Sequence, residues 1–186
     1  MCDQVTYSNV FSEYLVIKIQ SAEVRNNFVI GCIYRSPSSS PENDDCLQAL
    51  LNALFTSNNN NCRNNTIVVG DFNYPTIDWD RWVCVDNKTS CNKFLETLMD
   101  NFLIQNVLSP TRARTSATPH ILDLVLTAND IVKDITYMSP LGNSDHSILE
   151  IKCDSNCYSN TSTANKFNFS KGNFVSLKES LSINSI

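Results

Sequence analysis

Thr66-Ile67-Val68-Val69-Gly70-Asp71-Phe72-Asn73-Tyr74-Pro75 sets a continuous apolar, β-branched run against an abrupt polar stop. A run apolar at every position suits a strand buried on both faces, and an ending in Gly-Asp delivers polar side chains at its carboxyl end. That is where α/β proteins commonly place their sites. The stretch therefore points to an α/β fold with polar chemistry beyond the end of a central strand.

Upstream, Tyr14 to Ile19 and Asn27 to Tyr34 are short β-branched runs separated by a polar connection at 21–26, an antiparallel pair that opens the chain. Arg35 to Pro41 has loop composition. Glu42, Asp44 and Asp45 then place acids in the first turn of a helix whose Leu47, Leu50, Leu51, Leu54 and Phe55 follow the 3.6 period. The Asn-rich run at 58–65 reads as a low-complexity surface loop. Downstream, a second helix runs from Ser90 as N-cap through Phe94, Leu95, Leu98, Met99 and Phe102. Strands follow at Ile121 to Thr127, Val132 to Met138 and Ser147 to Cys153. Residues 10–153 form the domain on this reading, and 154–186 a polar linker and tail.

The 186 residues carry 14 Lys+Arg against 19 Asp+Glu, a net charge of -5, and are 42% hydrophobic. No apolar run is long enough for a membrane span, and Met1-Cys2-Asp3-Gln4 lacks the basic and apolar regions of a signal peptide. The acidic balance excludes a protein that holds nucleic acid by global charge alone, so any such binding is local. Eight cysteines occur without a CxxC and with only His120 and His146, a poor supply for zinc. Cys32 and Cys46 lie in apolar patterns, where a free thiol behaves as a small buried hydrophobe. Reduced cysteines and an intracellular, not secreted, location with the nucleus as a plausible compartment are expected.

Three polar clusters fall at strand ends: Gly70-Asp71-Phe72-Asn73, Asp123 in Ile121-Leu122-Asp123-Leu124-Val125-Leu126, and Ser144-Asp145-His146. Asp123 is the most informative, because a carboxylate in an apolar strand is costly unless a cation or donor meets it. His146 is its expected partner, at hydrogen-bond distance. A carboxylate accepting from an imidazole N–H fixes the tautomer and raises the basicity of the ring. Taken singly, Gly-Asp is also a turn and Asp123 also an acceptor in a bulge; the joint pattern points to a site.

Tyr34-Arg35-Ser36-Pro37, Gly70-Asp71-Phe72-Asn73 followed by Ile77-Asp78-Trp79, Pro110-Thr111-Arg112, Leu122-Asp123-Leu124-Val125-Leu126, and Pro140-Leu141-Gly142 running into Ser144-Asp145-His146 share an order and spacing. In these the chain resembles the endonuclease/exonuclease/phosphatase superfamily, most closely the apurinic-type endonuclease domain of non-LTR retrotransposons. The resemblance implies a four-layer α/β sandwich and Mg²⁺- or Mn²⁺-dependent cleavage of DNA ahead of a reverse transcriptase. It implies that Asp71 aligns or deprotonates the attacking water, or protonates the leaving oxygen, with Asn73 orienting it. By the same likeness His146, held by Asp123, stabilises charge on the phosphoryl oxygens, Asp145 holds the metal, and Tyr34 touches the phosphate or leaving group. Thr111 and Ser144 match supporting positions. Arg35, Arg112 and Arg114, near these motifs, are candidates for phosphate contacts.

The same family carries an Asn and a metal-binding Glu upstream of the Tyr motif. Met1 to Asn9 matches neither, and Glu13 and Glu23 lie beside strands that match later parts of the fold. The expectation is therefore a sandwich incomplete at its N-terminus, impaired or inactive in cleavage. Its rivals are a binding module without activity and a phosphatase of the same superfamily. With early strands missing, one sheet face is expected to expose apolar side chains.

Overall fold

The computed structural model describes residues 2–7, 11–20, 27–56, 65–112 and 118–154. In chain order its elements are β1 (Cys2–Val5), β2 (Tyr14–Gln20), β3 (Asn27–Tyr34), α1 (Pro41–Thr56), β4 (Thr66–Asp71), β5 (Ile77–Asp78), β6 (Val83–Cys84), α2 (Thr89–Asp100), β7 (Ile104–Gln105), β8 (Asp123–Thr127), β9 (Val132–Met138) and β10 (Ile148–Cys153). The connection at 21–26, the Asn-rich run over 58–64, Arg114 and the tail at 155–186 lie outside the described residues.

A mixed six-stranded sheet in the order β1-β2-β3-β4-β8-β7 forms the centre, with β9 and β10 as a second, two-stranded sheet and β5 with β6 as a small ribbon. β3 and β4 run parallel, joined through α1; β4 and β8 run antiparallel. Side chains alternate faces along a strand, so the register sorts them. Val29, Ile33, Val68, Leu124 and Leu126 share a cluster with Leu47, Leu50 and Leu51 of α1 and Phe94, Leu95 and Leu98 of α2. From the other face Ile67, Val69 and Val125 meet Ile135, Tyr137, Leu149 and Ile151 of the β9–β10 hairpin. Helices, main sheet and second sheet are thus stacked layers, the expected mixed α/β sandwich.

Four details depart from the sequence reading. β1 is an additional strand, paired to β2 from Cys2↔Ile19 to Val5↔Val16; its exposed polar pair Asp3-Gln4 hides the pattern of an edge strand. α2 begins at Thr89 with Lys88 in the cap position and no side-chain cap, so Ser90 sits inside the helix. Cys32 is exposed, because the register turns it away from the helices. Cys84 and Cys91 are joined by a disulfide that ties β6 to the start of α2, against the expectation of free thiols throughout. Cys2, Cys32, Cys46 and Cys153 are free. Among the described residues no helix is long and apolar enough to cross a membrane.

Where the hairpin does not reach, the second face of β2 and β3 exposes Leu15 (47%), Ile19 (37%) and Tyr34 (50%). A contiguous apolar strip of this kind binds amphiphiles. The chain is expected to raise the fluorescence of a hydrophobic dye under native conditions, and Leu15→Lys with Ile19→Lys to abolish that signal without lowering the melting temperature. An unchanged signal in the double variant would place the dye elsewhere.

Candidate active site

Three adjacent strands end in a row. The parallel register pairs Tyr34 with Asp71, and the antiparallel register pairs Asp71 with Asp123. All three therefore project from the same face, beside the second sheet and beyond its apolar contacts. β4 shows why: it is buried over Thr66 to Val68 and opens from Val69 to Asp71. The apolar half anchors the strand and the polar half is delivered to the edge.

His146 joins this row from the segment before β10. Its Nδ1 lies 2.8 Å from Asp123 Oδ2, the contact expected for a carboxylate set in an apolar strand. With the carboxylate as acceptor, Nδ1 carries the proton and Nε2 is left for chemistry. The ligand atoms of Asp71, Asp123 and His146 all lie within 4.8 Å of one another. Thr111 fixes the approach from behind: fully buried, its Oγ1 accepts the backbone N–H of Leu122 at 3.2 Å and of Asp123 at 3.0 Å. Bridges from Arg112 to His120 and to His146 draw the same segment against the site. Ser144 acts locally, its Oγ accepting the His146 N–H at 3.1 Å.

Asp71 closes a turn, its Oδ1 accepting the Asn73 N–H at 3.1 Å. Asn73 itself adopts φ 49, a left-handed conformation that Asn tolerates. Its Nδ2 donates to the Arg35 carbonyl at 2.8 Å. Burial raises the Asp71 carboxyl above its ordinary range, and the charge of Asp123 adds to the rise, opposed by His146 and the Asn73 N–H. Two carboxylates and an imidazole at this distance form a donor set that a divalent cation fits, and the raised Asp71 is the group a cation would relieve.

The raised carboxyl has a consequence for stability. A group whose folded pKa exceeds its unfolded value lends stability that is full below the unfolded pKa, roughly 3.9 for Asp, and lost as pH rises through the folded pKa. At neutral pH without divalent cations, Asp71→Asn is therefore expected to melt above the parent chain, with the gap closing as pH falls toward 4. Added Mn²⁺ should raise the melting temperature of the parent chain alone. Equal responses to Mn²⁺ in the two proteins would remove Asp71 from the cation site.

Two expected residues sit elsewhere. Asp145 faces Arg112, whose Nε donates to its Oδ2 at 2.8 Å, and is not among the converging ligand atoms. The Arg112–His146 bridge sets the two segments side by side, so the guanidinium reaches the residue next to His146. Arg35, expected at a phosphate, is 6% exposed and held by Asp44. Asp44 was not among the sequence candidates. Its signal was its position three residues before Leu47, which puts it on the buried face of α1 rather than merely at the helix dipole. Beside the site a cleft of about 190 Å³ runs from Asn73 and Arg112 past Tyr74 to Lys88 and Ser90.

The family model described as endonuclease-reverse transcriptase matches residues 28–150, which takes in β3 through the middle of β10. The chain belongs to the endonuclease-reverse transcriptase family. Among solved structures, the endonuclease domain of TRAS1, a telomere-specific non-LTR retrotransposon, is similar at a TM-score of 0.58 and 14% identity, covering 82% of this chain and 68% of that one. The mannosyl-6-phosphatase Bt3783 of Bacteroides thetaiotaomicron is similar at 0.48 and 14%, over 75% of this chain and 55% of its own. The human Nocturnin catalytic domain with bound sulfate is similar at 0.45 and 13%, over 81% and 60%. The chain thus spans just over two thirds of the first of these and less of the other two. No curated protein matches it in sequence. Family membership and fold together make the chain an endonuclease/exonuclease/phosphatase-type domain.

Proposed function

We propose that the chain carries a divalent-cation-dependent phosphodiesterase site that nicks DNA, as in a retrotransposon endonuclease. The observation that carries this reading is the convergence of Asp71, Asp123 and His146 on one sheet edge. Asp71 and Asp123 would hold Mg²⁺ or Mn²⁺, which when bound supplies charge for the phosphoryl oxygens. Asp71, beside the ion, aligns the attacking water or the leaving oxygen. His146, oriented by Asp123, presents Nε2 to the charge that builds on the phosphate. The exposed Tyr34 phenol, one strand from Asp71, meets the phosphate or leaving group. Arg112 and Lys88 flank the adjoining cleft, where backbone phosphates pass.

Cleavage by this chain is slow on the same reading. Two carboxylates hold Mg²⁺ weakly in the absence of substrate phosphate, because the ion dehydrates reluctantly. Asp145 adds nothing while it pairs with Arg112. That pairing also favours the second reading, a nucleic-acid-binding module without activity.

The test is conversion of supercoiled plasmid to nicked circles with Mg²⁺ or Mn²⁺, set beside release of phosphate from a sugar monophosphate. Weak, metal-dependent nicking without phosphate release is expected. Phosphate release without nicking would assign a phosphatase; DNA binding with neither activity would assign the binding module.

A further inference from the structure

We infer that Arg35 and Asp44 form a buried ion-pair clamp whose work is to position the Asp71–Asn73 loop, the catalytic consequence resting on the nuclease reading above. Arg35 Nε and Nη2 grip both carboxylate oxygens of Asp44 at 2.7 and 2.9 Å. Nη1 donates to the Asn73 carbonyl at 3.0 Å and reaches the Phe72 carbonyl at 3.5 Å. The guanidinium lies 4.0 Å over the Tyr74 ring. The backbone of the same residue completes the grip: its N–H donates to the Asp71 carbonyl at 2.8 Å, and its carbonyl accepts Asn73 Nδ2 at 2.8 Å. Asp71, Phe72, Asn73 and Tyr74 are each touched by one arginine.

Stability alone is a weak reason for this pair. The two residues are 6% and 1% exposed, and a buried ion pair can often be exchanged for apolar residues at little cost. What apolar residues cannot supply is a planar fork that donates to a carboxylate on one edge and to carbonyls on the other. The loop needs that help. Asn73 sits in the left-handed region, and its amide is spent on Arg35 rather than on the site. Arg35 and Asp44 are therefore positioning residues, with Asp44 acting at one remove through the guanidinium.

The experiment is amide hydrogen exchange on residues 1–186, with nicking kinetics beside it. The variants are Asp44→Asn, Arg35→Lys, and the double Arg35→Met/Asp44→Leu, which removes both charges and so escapes the penalty of an unpaired buried ion. The Phe72 N–H, bonded to the Leu122 carbonyl at 2.9 Å, and the Asn73 N–H report on the loop. Both are expected to exchange at least tenfold faster in the double variant, with Val68 and Val125 unchanged. Plasmid nicking should lose roughly 10²-fold in kcat with KM little altered, the scale of a misplaced reacting group. Parental protection at Phe72 and Asn73 in a folded double variant overturns the clamp, whatever the activity. A parent chain that nicks nothing overturns the nuclease reading instead, and leaves the clamp to be decided by exchange.

Discussion

His146→Ala is expected to lower the single-turnover rate of plasmid nicking by roughly 10² to 10⁴-fold, which from a slow parent chain means to background. The side chains of His146 and Asp123 are 26% and 23% exposed, so water can take over part of the lost hydrogen bond and folding is little affected. The effect is therefore on chemistry, because the ring is the one nitrogen donor among the converging side chains. Asp123→Asn supplies the mechanistic half. An amide can donate as well as accept, so it permits the tautomer with the proton on Nε2 and takes away the orienting charge. If Asp123 acts through His146, the double variant is no slower than the slower single variant, since residues that act as a unit are not additive. Additive losses in nicking kinetics, or a parental rate in Asp123→Asn, would separate the two residues and end the paired role.

How much of this could be read beforehand follows from the physics of each element. β4 was legible because an uninterrupted apolar run has only one comfortable place, and its polar end announced a site. The partner of Asp123 was legible because burial demands one. The row of Tyr34, Asp71 and Asp123 was not, since adjacency across strands depends on register and no local pattern prints it. Arg35 was read by its charge beside the motifs and Asp145 by family likeness; their ion pairs with Asp44 and Arg112 form only in space. The same holds for Cys84 and Cys91, whose seven-residue separation carries no pairing rule. β1 escaped because an exposed edge strand need not be hydrophobic.

Gly70→Ala should be the most damaging of the small substitutions. Gly70 lies next to Asp71, where β3 and β4 run in parallel register with Ile33 paired to Gly70. Its φ is 145, a conformation side chains rarely adopt, and a Cβ built there would stand 1.8 Å from the Ile33 carbonyl oxygen and 2.7 Å from its carbon. The obstacle is backbone held in a sheet ladder, so it cannot swing aside as a flexible side chain would. Strain at the residue and overpacking each cost roughly 1–3 kcal/mol, together about 4 kcal/mol, a large part of an ordinary domain's stability. For a chain of this size that corresponds to a fall of roughly 8–16 °C in melting temperature. Gly142→Ala is the control, because φ there is also positive, at 60, but a Cβ meets nothing within 4 Å. Only the conformational cost of roughly 1 kcal/mol remains, a shift of a few degrees. Whatever fraction of Gly70→Ala still folds must part β3 from β4 at the site end, drawing Tyr34 away from Asp71, so nicking should fall further than the folded fraction does. Calorimetric melts of the two variants decide it: a Gly70→Ala transition within a few degrees of the parent would show that the strand ends separate freely, and that the close approach of β3 and β4 does not hold the site together.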